Sequence, residues 1–140
     1  MQAVEIEKIS GAKGICRGAV RLLRSHSYSC ALEITLRSGR RADILAIGST
    51  GEILIVEVKS SVADFQADKK WTEYRNYCER LLFAVDQNFP VELIPIHVGL
   101  IVCDEYSGAI IRDGDLSLMA PARRKSIILS VARISSDRLN

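Results

Sequence analysis

Asp43, Glu57 and Lys59 are the residues whose types and spacing can do chemistry in this sequence. They lie on two runs, Arg41–Ile47 and Ile53–Lys59, joined by Gly48-Ser49-Thr50-Gly51-Glu52. A three-residue loop Ser49-Thr50-Gly51 with glycine in the left-handed position pairs Gly48 with Glu52. Paired residue numbers then sum to 100, so Asp43 faces Glu57 and Arg41 faces Lys59. Side chains two apart on a strand share a face, which sets Glu57 and Lys59 beside Asp43. Two carboxylates directly opposite on a sheet have β-carbons about 4.5–5.5 Å apart and repel each other. A cation is needed between them. Lys59 supplies part of that charge, and a hard divalent ion, Mg²⁺ or Mn²⁺, supplies the rest through oxygen ligands. The inference depends on register, because a two-residue loop would put the two acids on opposite faces.

The elements that must position these groups follow from periodicity. Ile15, Ala19, Leu22 and Leu23 recur at helical spacing over 12–25. Residues 31–37 alternate, with Leu32, Ile34 and Leu36 on one face and Glu33, Thr35 and Arg37 on the other, as in a half-buried strand. A Ser38-Gly39-Arg40 loop leads into 41–47, with pairs summing to 78 and Glu33 a diagonal neighbour of Asp43 and a candidate third metal ligand. In 53–59, Leu54, Val56 and Val58 make the second face wholly apolar, so this strand is central and covered on both sides. Ser61 to Asp64 has the spacing of a capping box and opens a helix over 62–79. Strands near 81–86, 98–103 and 109–112 follow, and Pro121 opens a helix to about 137. The order αβββαβββα predicts one α/β (α+β) domain over 1–140, with a mixed central sheet, an antiparallel meander and helices on both faces.

Composition sets the class. The chain has 140 residues, 48% hydrophobic and 26% charged, with a net charge of +2, which fits one globular domain. The sum hides a pattern. Residues 1–41 hold eight basic and three acidic groups, 42–79 four and seven, 80–112 two and four, and 113–140 five and three. An acidic centre is thus flanked by basic ends. No apolar run approaches the roughly 18 residues of a membrane helix, and MQAVEIEKIS lacks the basic-then-apolar pattern of a signal. Cys16, Cys30, Cys78 and Cys103 are isolated and far from a ligand-spaced His, so they read as small hydrophobes in a reducing, cytoplasmic compartment. Neither a phosphate-cradling glycine motif nor a nucleophile triad is signalled.

The pattern of Asp43, then Glu57-Val58-Lys59, resembles the PD-(D/E)XK nuclease superfamily, with Ala42 where the eponymous proline would stand. A narrower resemblance covers most of the chain. GRRADILAI, GEILIVEVKSS, DFQADKKWTEY, GLIVCDE and the late Ala-Arg-Arg are similar to the MmcB-like DNA repair family of bacteria. These resemblances imply a restriction-endonuclease-like fold and a metal-dependent DNA endonuclease acting in repair on structured or damaged DNA. They assign Asp43 and Glu57 as metal ligands, with the Val58 carbonyl as a further one.

Phosphodiester hydrolysis needs a nucleophilic water and offset charge on the phosphoryl oxygens, and bound Mg²⁺ does both. Lys59, crowded by a metal and by Arg41, would either give up its proton or stay a fixed cation that orients water. Arg37, Arg40 and Arg41 at the strand ends, with Lys69, Lys70 and Gln66, are candidates to meet the DNA backbone. Trp71 and Tyr74 read as core packing, Arg123, Arg124 and Lys125 as a solvated face, and Asp64 and Asp68 as helix-end groups. Two other readings stand beside the nuclease. One is a nuclease-fold DNA-binding or scaffold protein in a repair complex, and the other a structural α/β subunit with a solvated charge cluster. DNA and repair proteins are the expected partners, and a homodimer stays open.

Overall fold

The computed structural model describes residues 11–140, so the reading of the first ten residues lies outside the described part. Its elements are α1 (Gly11–Ser25), β1 (Ser29–Thr35), β2 (Arg41–Ile47), β3 (Ile53–Val58), α2 (Val62–Ala67), β4 (Arg80–Val85), β5 (Gly99–Cys103), β6 (Gly108–Arg112) and α3 (Pro121–Arg138). A 3-10 helix, Trp71–Tyr77, lies between α2 and β4, and a shorter one, Val91–Leu93, follows β4. The six strands form one sheet in sequence order. β1–β2, β2–β3 and β5–β6 are antiparallel, and β3–β4 and β4–β5 are parallel. The mixed α/β fold therefore matches the order expected from the sequence. No described helix is long and apolar enough to cross a membrane.

Each face of the sheet carries its own core. α1 lays Ile15, Ala19, Leu22 and Leu23 over Ile44, Ala46, Leu54, Val56 and Leu82. On the other face, Phe65, Trp71, Tyr74, Ile127 and Val131 cover Leu45, Ile53, Ile55 and Phe83. Phe83 is fully buried and meets Phe65 and Trp71 edge-on, at centroid distances of 5.4 and 5.3 Å. Every residue of β3 is buried, as its two-sided apolar pattern requires.

The register of β2 and β3 follows from their turn. Pairs from Ile44↔Val56 to Ile47↔Ile53 sum to 100, and Gly51 has φ +90°. Gly48 and Glu52 close the loop through a 2.9 Å backbone hydrogen bond. An L-residue costs about 1–2 kcal/mol in this backbone region, and the nearest atom to a Cβ there is 3.7 Å away, so strain rather than collision sets the effect. Gly51→Ala is expected to lower stability by about 1 kcal/mol, read as a urea midpoint shift with the slope unchanged. A larger loss with a changed slope would mean that the register itself had moved.

Three expectations need correction. The β1–β2 pairs sum to 76, as in Leu32↔Ile44, rather than 78. Gly39, at φ +89°, takes the third loop position just as Gly51 does, so the loop is Arg37-Ser38-Gly39, closed by Leu36 N–H to Arg40 O at 2.8 Å. The alternation of β1 also breaks at Glu33, whose φ is +52°: Ile34 and Leu36 are buried, while Leu32 is 40% exposed. Arg138 at the end of α3 donates to the Leu32 and Glu33 carbonyls at this kink. Last, the helix expected over 62–79 ends at Ala67 and resumes as a 3-10 helix. Asp68 interrupts it by accepting from the Lys70 N–H at 3.0 Å and leaving helical geometry, at ψ 96°.

Candidate active site

The paired strands β2 and β3 part at Asp43 and Glu57, and the side chains take over the ladder. Asp43 N–H donates to Glu57 Oε1 at 3.0 Å, and Val58 N–H donates to Asp43 Oδ2 at 2.8 Å. The carboxylates are thus interlocked across the strands that the turn set in register. Glu57 Oε2 and Asp43 Oδ1 receive no N–H from a described residue, and the two carboxyls lie within hydrogen-bond reach of each other.

Glu57 is 4% exposed while Asp43 is half-buried. Burial and then the charge of Asp43 push the Glu57 carboxyl up to about 8, against the Asp43 N–H and the charge of Lys59, which favour its ionised form. Below that value the pair keeps a proton on Glu57 and does not carry two full negative charges. Two hard carboxylates of this kind fit a divalent ion by donor chemistry. No group of three or more His, Cys, Asp or Glu side chains converges on a metal position among the described residues.

Lys59 is buried directly after β3, its N–H bonded to Ala84 O at 3.0 Å. Its ammonium does not turn to the carboxylate pair. It donates to Asp68 Oδ2 at 2.8 Å. Arg40 reaches Asp68 Oδ1 at 3.2 Å and lies over the Tyr74 ring at 4.9 Å. Burial would raise the Asp68 carboxyl, but the Lys59 hydrogen bond, the Lys70 N–H and the charges of Lys59 and Arg40 hold it below its ordinary value. Tyr74 is buried and donates to the Arg41 carbonyl at 2.9 Å, tying the 3-10 helix to the strand that carries Asp43.

The remaining candidates separate into groups. Glu33, with 67% of its side chain exposed, lies 4.0 Å from Arg41. Gln66, Lys69 and Lys70 are exposed around Asp68, whereas Arg40 is committed to its ion pairs. Arg37 instead lines a groove of about 830 Å³ under α3, with Arg123 and Arg133. Trp71 and Tyr74 pack in the core. Of the solvated face expected at 123–125, Arg123 and Lys125 are exposed, with Arg123 donating to Asn76 O, while Arg124 turns in to pair with the buried Glu79 at 2.6 Å. The four cysteines are free thiols, and burial pushes Cys78 and Cys103 up to about 12. Sequence reasoning missed Asp68, the centre of the charge network. Its only signal was an acid placed just before two lysines, which a helix end explains equally well.

No curated protein matches the chain. Among solved structures, it is similar to SPO1766, a protein of unknown function from Silicibacter pomeroyi, at 41% identity and a TM-score of 0.88. The match covers 94% of this chain and 90% of that one. Residues 3–140 match the family described as DNA repair protein MmcB-like. The chain belongs to the MmcB-like DNA repair protein family.

Proposed function

We propose that the protein is a metal-dependent DNA endonuclease of the PD-(D/E)XK type, hydrolysing phosphodiester bonds in structured or damaged DNA during repair. The observation that carries this reading is the interlocked Asp43–Glu57 pair, with oxygens that receive no N–H and a buried ammonium nearby. Asp43, Glu57 and the Val58 carbonyl would hold Mg²⁺ or Mn²⁺, which supplies Lewis acidity and a nucleophilic water when bound. The chain's own residues do the rest. β2 and β3 hold the acids through main-chain hydrogen bonds, so neither swings away when charge builds up. Lys59, whose orientation Asp68 fixes, would supply a positive charge to offset developing phosphoryl charge. Arg41, Lys69 and Lys70 are exposed around the site and available to a phosphate backbone.

Branched and flapped DNA should be cut by the wild type only with Mg²⁺ or Mn²⁺. Asp43→Ala should lose at least about a hundredfold in rate, the scale set by removing one transition-state contact. Equal cutting by wild type and variant would reject the reading. The second reading, a DNA-binding scaffold without cleavage, draws on the engagement of Lys59 with Asp68 rather than with the acids. Binding with no cut under any metal would favour it.

A further inference from the structure

The exposed face of α1 carries Lys13, Arg17, Arg21 and Arg24 and no acid at any of its 15 positions. At 100° per residue the four fall within an arc of about 80°, along about 16 Å of helix. The buried residues Gly14, Ile15, Gly18, Ala19, Leu22 and Leu23 take the opposite side. None of the four cations forms an ion pair with a described residue. Like charges at i, i+4 repel, so Lys13–Arg17–Arg21 costs helix stability with no local return. The stripe holds four of the eight basic residues in 1–41.

We propose that this face of α1 is a docking surface for a DNA phosphate backbone. A length of about 16 Å spans roughly five steps of one strand at 3.4 Å each. The three arginine forks suit phosphate oxygens, and the lysine adds a point charge. The observations favour DNA over a lipid surface. A membrane-binding helix must bury an apolar face in the interface, and the apolar side of α1 is already covered by the sheet. The proposal rests on the reading of the chain as a DNA-acting protein, but it requires no cleavage.

Its test therefore runs without metal. A fluorescent 20-mer is titrated with protein in EDTA at 20–200 mM KCl, read by anisotropy, for the wild type, Arg17→Ala/Arg21→Ala and Lys125→Ala/Arg133→Ala. The last pair removes the same charge from exposed positions of α3. Each phosphate contact adds about 0.9 to the slope of log K against log salt, so the α1 variant should flatten it by roughly 2. The control should leave the slope within error of wild type. Alanine is a better helix former than either arginine and removes repulsion, so the α1 variant should melt no lower than wild type. Equal flattening by the control, an unchanged slope in the α1 variant, or no DNA binding by the wild type would overturn the proposal. So would preferential binding to phosphatidylserine vesicles over DNA. Loss of cleavage with stripe-dependent binding intact would reject only the nuclease reading.

Discussion

Glu57→Gln is expected to be more stable than the wild type at pH 8 in EDTA, by about 3 kcal/mol, and nearly equal to it at pH 5. The folded carboxyl titrates near 8, against an ordinary value of 4.5. Between those values the native state holds a proton that the unfolded chain has released. Stability then falls as pH rises, and the fall is complete only above the folded value. Glutamine carries no titratable proton, and its amide oxygen can still accept the Asp43 N–H now bonded to Glu57 Oε1. Other titrating groups are common to both proteins, so the divergence of their urea midpoints between pH 5 and 8 isolates this one site. Parallel curves would show that Glu57 is not destabilised by ionisation. On the proposed metal site, Mn²⁺ added at pH 8 should restore stability to the wild type and do much less for the variant, because binding the folded state alone stabilises it by mass action.

How far the sequence determines this site depends on the kind of feature. The β2–β3 register is legible because one glycine needs a left-handed backbone, and that need fixes which residues face each other. The same rule applied to Gly39 yields the observed β1–β2 pairing, so that error lay in the loop position given to the glycine. Leu32, Ile34 and Leu36 alternate cleanly in sequence, yet no periodicity reveals a positive φ at Glu33, which puts Leu32 in solvent. The break at Asp68 is also invisible locally. Trp71, Tyr74 and Cys78 keep a helical spacing that a 3-10 turn satisfies well enough to bury Tyr74 and Cys78. What ends α2 is a set of bonds to Lys59, Arg40 and Lys70, two of which arrive from distant strand ends. Local pattern therefore gives the carboxylate pair, while the cation's orientation is a tertiary property.

That orientation makes Lys59 the residue whose structural and chemical roles can be separated most sharply. Lys59→Met keeps a long unbranched stem in the buried site and removes the ammonium. Removing one partner of a buried ion pair is costly when it strands the other charge, but Asp68 is only half-buried and keeps Arg40 and the Lys70 N–H as partners. The variant should therefore unfold within about 1 kcal/mol of wild type. On the proposed nuclease reading, metal-dependent cleavage should nonetheless fall by about 10²–10³-fold, the scale of losing one preorganised transition-state contact, with DNA affinity in EDTA unchanged. Asp68→Asn should give the reverse balance. It leaves the buried ammonium without its anion, a loss of about 3 kcal/mol in stability, while the positive charge stays in the site and most of the cleavage rate is kept. If Lys59→Met cut DNA at the wild-type rate, Lys59 would be a structural counter-ion for Asp68 and the chemistry would rest on Asp43 and Glu57 alone. If both variants lost stability and activity together, the pair would act as one packing unit. The opposite orders of the two readouts are what the buried geometry of Lys59 and the half-buried position of Asp68 lead one to expect.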